Sequence, residues 1–329
     1  MAVYNEPLNW VLQAIRSILY QTFTDFEFII INDNPTREEL WKLLEELSNS
    51  DSRIIIRKNK VNIGLTKSLN EGLKICKGKY IARMDADDIS FPDRLAHQYN
   101  YLEKNPEISV LGTNRKYIDE NSNVLKKKHP LIHNPNTIES LFILRSPFIH
   151  PSVMFRRSLI DNGFFYDESF TSAQDYNLWG RLLINNYRLD NLKEPLLFYR
   201  ISSNQITNKK NEDQLKNAIR IKRMFADYLN IDLNNTDFDL LVLPFSNEKS
   251  ISPVDVKNLS KVLLKISKQI EKFVWYNKTS FNAESFRLIL MTALRSSNKV
   301  ISLSNLVKSP FFSLKNILKQ SKLILAKLF

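Results

Sequence analysis

Between Lys79 and Asp88 the chain reads Lys-Tyr-Ile-Ala-Arg-Met-Asp-Ala-Asp-Asp, which sets three carboxylates within four residues at the end of a short, mostly apolar run. Carboxylates this close repel one another, so Asp85, Asp87 and Asp88 destabilise the fold unless something cationic sits among them. Two chemistries fit these residues. One is an acidic turn ahead of a helix, since Ser90, Pro92 and Asp93 all favour a helix start. The other is a divalent cation site, because hard oxygen ligands suit Mg²⁺ or Mn²⁺ holding a phosphate group. The ten residues alone leave both open.

The elements around the cluster say where it must lie. Leu8, Val11, Leu12, Ile15, Ile18 and Leu19 recur at helical spacing, and residues 26–31 form a compact apolar strand. A helix over 38–47, a strand over 53–57, a helix over 65–77 and a strand over 80–84 follow. This βαβα order predicts an α/β fold with a largely parallel sheet covered by helices on both faces. Ligands of such sheets gather beyond the carboxyl ends of the strands. Asn32-Asp33 and the Asp85 cluster both follow strands there, so the acidic groups are expected to converge on one crevice.

The 329 residues suffice for one large α/β domain and a smaller appendage. We place the boundary in the polar stretch at 206–212, giving domains over 1–205 and 206–329. After it strands disappear, and helical periodicity dominates over 255–273 and 283–294. The six glycines form neither a G-x-G-x-x-G nor a Walker pattern, and none precedes Gly64, so dinucleotide-dehydrogenase and P-loop readings fail. The single Cys76 cannot form an internal disulfide and reads as a packing residue in a reducing cytoplasm. No apolar stretch approaches the roughly 18 to 20 residues that span a bilayer, and the expectation is a protein of the cytoplasm.

The net charge of +12 is uneven: residues 206–329 hold 21 Lys and Arg against 10 Asp and Glu, and residues 1–205 hold 26 against 25. A basic appendage of this kind suits an anionic surface. Within 309–329, Leu314, Ile317, Leu318, Ile324, Leu325 and Leu328 share one helical face, while Lys315, Lys319 and Lys322 line the opposite one. That pattern fits a helix lying on an anionic membrane and equally one docked on its own domain. No nucleic-acid partner is expected, since no recognised motif or base-stacking platform accompanies the charge.

Several motifs follow one another in order: Met1-Ala-Val-Tyr-Asn-Glu-Pro7, Ser17-Ile-Leu-Tyr-Gln-Thr-Phe23, Asp25-Phe-Glu-Phe28, Asn62-Ile-Gly-Leu65 and the run from Gly78 through Asp88. Pro92-Asp-Arg-Leu95, His150-Pro-Ser-Val-Met-Phe155 and Gln174-Asp-Tyr-Asn-Leu-Trp179 complete the set. Together they resemble a family-2 glycosyltransferase with the GT-A fold, over residues 1–205. The resemblance implies transfer of a sugar from a nucleoside diphosphate to an acceptor hydroxyl, with inversion, in the assembly of a cell-surface polysaccharide or lipid-linked glycan at the cytoplasmic face of the membrane. It implies that Mn²⁺ or Mg²⁺ stabilises the leaving diphosphate as a Lewis acid. Asp87 then matches the metal ligand and Asp85 touches the ribose or the metal, whereas Asp88 is a ligand or a helix cap.

By the same resemblance Tyr4 packs against the nucleotide base, with Glu6 in the same turn, and Asp33 accepts from a uracil-type imide, which favours a UDP-type donor. Asp175 matches the general base, in a helix that Thr171 or Ser172 could cap and that runs through Ile184. Gln174 stands where an acidic residue is usual; its neutrality removes a like charge and eases ionisation of Asp175. His150, Gln174 and Trp179 fall on the acceptor side. Only Met1-Ala2-Val3 remains of the apolar strand with which relatives begin, so we expect Met1 to be an internal residue of the true first strand. Two other readings stay open: a nucleotidyltransferase, which would usually carry an early glycine-rich loop, and a non-catalytic nucleotide- or sugar-binding protein on the same scaffold.

Overall fold

The computed structural model describes residues 1–127, 131–202, 211–247, 251–313 and 316. The chain divides into two compact units: Met1–Asn134 with Pro147–Asn208, and Pro135–Ser146 with Lys209–Phe329.

In the first unit, β1 (Ala2–Val3), β2 (Phe28–Asn32) and β3 (Ile54–Lys58) pair in parallel, with α1 (Leu8–Leu19) and α2 (Glu38–Ser50) as their connections, and α3 (Leu65–Ile75) follows β3. Val11, Ala14, Ile15 and Ile18 return at helical spacing to one buried face of α1, and with Leu40 and Leu44 of α2 they cover the fully buried β2. β4 (Tyr80–Ala82), β5 (Ile89–Ser90), α4 (Arg94–Lys104), β6 (Ile108–Ile118) and β7 (Val124–Leu125) follow.

β8 (Met154–Arg156) comes after α5 (Pro135–Phe142), an element of the other unit, and after a single 3₁₀ turn at His150–Ser152. Then come α6 (Ser158–Asp161), α7 (Gln174–Ile184) and β9 (Arg188–Arg200). The second sheet has the order β4-β8-β6-β9-β5, with β7 beside β6. Here the expectation of a largely parallel sheet needs correction: β6 and β9 run parallel, but β4–β8, β6–β8, β6–β7 and β5–β9 are antiparallel. Local periodicity fixes strands, and it carries no information on which distant strand each one meets.

A cavity of about 610 Å³ lies in this unit, walled in part by Phe28 and Ile29 of β2, Tyr80 and Ile81 of β4, and Leu69 and Leu73 of α3. Met1 lines it too. Its amino group donates to the Ile29 carbonyl at 2.9 Å, and burial, followed by the Arg83 charge, lowers its pKa to about 6.

The second unit comprises α5, α8 (Asn211–Tyr228), α9 (Asn235–Val242), α10 (Pro253–Ile270), α11 (Lys278–Leu294) and α12 (Lys299–Val307). Capping boxes at Asn234 and Ser252 start α9 and α10. Buried Phe281, Phe286, Leu288 and Ile289 make α11 its core helix, and Glu284 on it ion-pairs with Arg145 at 2.7 Å and with Arg287. The amphipathic segment expected over 309–329 lies, apart from 309–313 and 316, outside the described residues. No helix among the described residues is long and apolar enough to cross a membrane.

Candidate active site

Beyond β4 the chain alternates. Met84 and Ala86 are buried in the core cluster under β2, while Asp85 and Asp87 are only half-buried. One carboxylate oxygen each from Asp85, Asp87 and Asp88 lies within 4.8 Å of the others. Burial, then the charges of Asp85 and Glu6, push the Asp87 carboxyl up to about 7. Burial, then Asp87 and Asp85, hold Asp88 well above the ordinary carboxylate range.

Asp88 caps no helix. The residue before α4 is Asp93, whose side chain makes no capping bond, and Asp88 Oδ1 instead accepts from the Arg200 backbone N–H at 2.8 Å. Its Oδ2 is buried without a hydrogen-bond partner among the described residues. A hard divalent cation fits both facts, since it would neutralise the repulsion and take the orphaned oxygen.

The register of the second sheet explains how Arg200 gets there. β5 begins right after Asp88 and pairs antiparallel with β9, Ile89 opposite Phe198. Following that register back by two residues brings Arg200 opposite Asp87. Arg200 Nε donates to the Asp87 carbonyl at 2.7 Å, and its other nitrogens reach the Asp119 carbonyl, Ser122 and Gln13. The fully buried Arg200 thus locks the acidic turn to two distant segments, residues 119–122 and α1.

Arg83 is the second cation of the site. It is buried, ion-pairs with Asp85, and its Nε has no hydrogen-bond partner among the described residues. Its charge reaches Asp87, Asp88, His150, Tyr166 and Asp175 alike. Asp175 sits in the first turn of α7. Burial raises its pKa, opposed by the Tyr176 N–H and by Arg83. Neither Thr171 nor Ser172 holds the N-cap position: the residue before α7 is Ala173, in the left-handed conformation with φ 57°. Such backbone in a non-glycine residue is held only where the surroundings enforce it.

Tyr4 is 42 % exposed and therefore not a core tyrosine; its N–H donates to Glu6 Oε2 at 2.8 Å. Burial, the largest influence, raises the Glu6 pKa, and Asp85 adds to it. Asp33 is buried and pins the loop before α3: Oδ1 accepts from Asn59 Nδ2 and the Ile63 N–H, and Oδ2 from the Gly64 N–H, at 2.8–2.9 Å. Gly64 needs its lack of a side chain there, at φ 83°.

Of the residues expected on the acceptor side, His150 has its Nε2 2.8 Å from the Tyr166 hydroxyl. Burial and then Arg83 hold the imidazole pKa well below its usual value, so the ring is neutral. Gln174 is buried at the start of α7. Trp179, also expected on the acceptor side, is 0 % exposed and packs edge-on against Phe148 and His150.

Sequence reasoning missed Arg83, Tyr166 and Arg200 as members of the site. Arg83 lies inside the motif itself and was legible as the cation the carboxylates require. Tyr166 and Arg200 carry no local signal.

Comparison with known proteins agrees with this geometry. The family described as glycosyl transferase family 2 matches residues 1–164. The chain is 37 % identical to the uncharacterized glycosyltransferase MJ1057 of Methanocaldococcus jannaschii over 69 % of this chain and 76 % of that protein. It is 40 % identical to the O-antigen biosynthesis glycosyltransferase WbnJ of Escherichia coli over 61 % of this chain and 78 % of that one. The amylovoran biosynthesis glycosyltransferase AmsE of Erwinia amylovora is 30 % identical over 68 and 83 %. Among solved structures, S. aureus TarS 1-349 in complex with UDP-GlcNAc shares the fold at a TM-score of 0.58 and 14 % identity, covering 97 % of this chain and 90 % of that one. The chain belongs to glycosyltransferase family 2 and has an α/β fold of the GT-A type.

Proposed function

We propose that this chain is an inverting, metal-dependent glycosyltransferase that moves a sugar from a nucleoside diphosphate, UDP-type favoured, to a hydroxyl of a growing glycan. The observation that carries the reading is the cluster of Asp85, Asp87 and Asp88 oxygens within 4.8 Å, joined through the charge of Arg83 to Asp175. The donor preference is supported by TarS, whose structures hold UDP and UDP-GlcNAc. The acceptor class is supported by WbnJ and AmsE, named for O-antigen and amylovoran biosynthesis.

Each side chain then has a task. Tyr4 offers its exposed ring to the base, Asp33 keeps a lone pair on Oδ2 for an imide donor, and Glu6 shapes the turn that follows Tyr4. Asp87, Asp85 and Asp88 would hold Mn²⁺ or Mg²⁺, which when bound offsets the charge developing on the departing diphosphate. Asp175 removes the acceptor hydroxyl proton as that oxygen attacks the anomeric carbon opposite the leaving group. Arg83 opposes the burial that would keep Asp175 protonated. Neutral His150, fixed by Tyr166 and backed by Trp179, lies beside the acceptor path together with Gln174.

The test is to incubate the protein with a panel of nucleotide sugars, Mn²⁺ or Mg²⁺, and extracts containing acceptors, and to measure released nucleoside diphosphate. Metal-dependent release supports the transferase. Nucleotide binding without release in any combination contradicts it and favours a binding protein. The same reading places the enzyme in the cytoplasm, peripheral to the membrane where lipid-linked glycans are built.

A further inference from the structure

Helix α12 buries Leu306 and Ser302, the latter 0 % exposed and hydrogen-bonded to Ser296 Oγ at 2.7 Å, yet it leaves Val300, Ile301 and Val307 80, 51 and 55 % exposed. At 100° per residue these three share about 120° of the helix circumference with Ser304 and Lys308. Phe312 follows just beyond the helix, 39 % exposed. The Asn305 side chain donates to the Pro253 carbonyl at 2.9 Å, which ties the helix to the start of α10, where Val254 is 62 % exposed. Single exposed aliphatics are ordinary, but several clustered on the outer face of one helix mark a contact surface.

Charge decides what the surface contacts. Lys308 is exposed within that arc, Lys299 is exposed at the other end of α12, and apart from Arg287, which is buried against Glu284, residues 285–329 carry seven Lys and Arg with no Asp or Glu. A second copy of this chain, or its own basic residues 314–329, would bring like charge onto the patch. A surface with an apolar interior and a negative skin satisfies both halves of the pattern.

We propose that the outer face of α12, with Val300, Ile301, Val307 and Lys308 at its centre, seats this protein on anionic lipid. The proposal gives a location to the membrane association suggested above and is independent of the donor-site assignment, because it is read by binding alone. The test is flotation of the full chain with vesicles of phosphatidylcholine and phosphatidylglycerol, mixed three to one, against vesicles of phosphatidylcholine alone. The wild type is expected to float with the anionic vesicles and to release in high salt. The triple variant Val300→Glu, Ile301→Glu, Val307→Glu is expected to lose about 90 % of that binding at an unchanged melting temperature, since all three side chains face solvent. Absence of wild-type flotation, or equal flotation of the triple variant, overturns the proposal. So does a wild type that dimerises through this face and ignores vesicles.

Discussion

Arg200 and Asp88 are 112 residues apart in the chain, yet the Arg200 N–H meets Asp88 Oδ1 at 2.8 Å and its guanidinium holds the carbonyl of Asp87. The acidic turn therefore owes its shape to the last residue of β9. Replacing Arg200 with Ala leaves several buried carbonyls without donors, and should lower stability by about 2–4 kcal/mol in urea unfolding. Lysine keeps the charge without the planar fork, so Arg200→Lys should recover less than half of the loss. Wild-type stability in the alanine variant would remove Arg200 from this role.

The carboxylate cluster predicts a ligand effect on stability. With Mn²⁺ at about a hundred times its dissociation constant, unfolding should become harder by about 2.7 kcal/mol, and a chelator should reverse the gain. Asp87→Ala should abolish the gain without harming the metal-free fold, because removing one carboxylate relieves repulsion. Thermal melts with and without metal read this directly; a metal-induced rise that persists in Asp87→Ala would contradict the ligand assignment.

In the second unit Glu284 gives a pH prediction. Burial disfavours its ionised form, but Arg145 and Arg287 overcome that and hold its pKa down at about 2. A carboxyl depressed in the folded state stabilises the fold above its unfolded pKa, and that stability is lost as pH falls through the folded value. The ion pairs should therefore contribute roughly 3 kcal/mol at neutral pH that disappears between about pH 4.5 and pH 2. Glu284→Gln should flatten that part of the stability curve, measured by urea titrations across the acid range. A variant curve parallel to the wild type would contradict the assignment.

Much of this site was legible because local chemistry writes it locally. Asp85, Asp87 and Asp88 follow an apolar strand that ends at the sheet edge, and Asp175 opens a helix whose periodicity is plain. The parallel pairing of β1, β2 and β3 followed from strands alternating with helices. What was not legible depends on pairing between distant segments. The antiparallel β5–β9 register, which delivers Arg200, joins strands more than a hundred residues apart. Tyr166 reaches His150 from an irregular loop whose backbone is held by Asn70, with no periodic signal. Residues 135–146 look like part of the first domain by position, yet Arg145 pairs with Glu284 and the Ser140 hydroxyl accepts from the Asn277 N–H, so side-chain partners 130 and more residues away set their unit.

The account turns on Asp175 as the base, and one paired measurement tests it most directly. Donor affinity by calorimetry and nucleoside diphosphate release under saturating donor and metal are compared for the wild type and Asp175→Asn. The substitution preserves shape and removes only the ability to take a proton, so donor binding should stay within about twofold while turnover drops roughly 10²- to 10⁴-fold. Turnover kept within about tenfold of the wild type would contradict the base assignment and, with it, the mechanism proposed for this site.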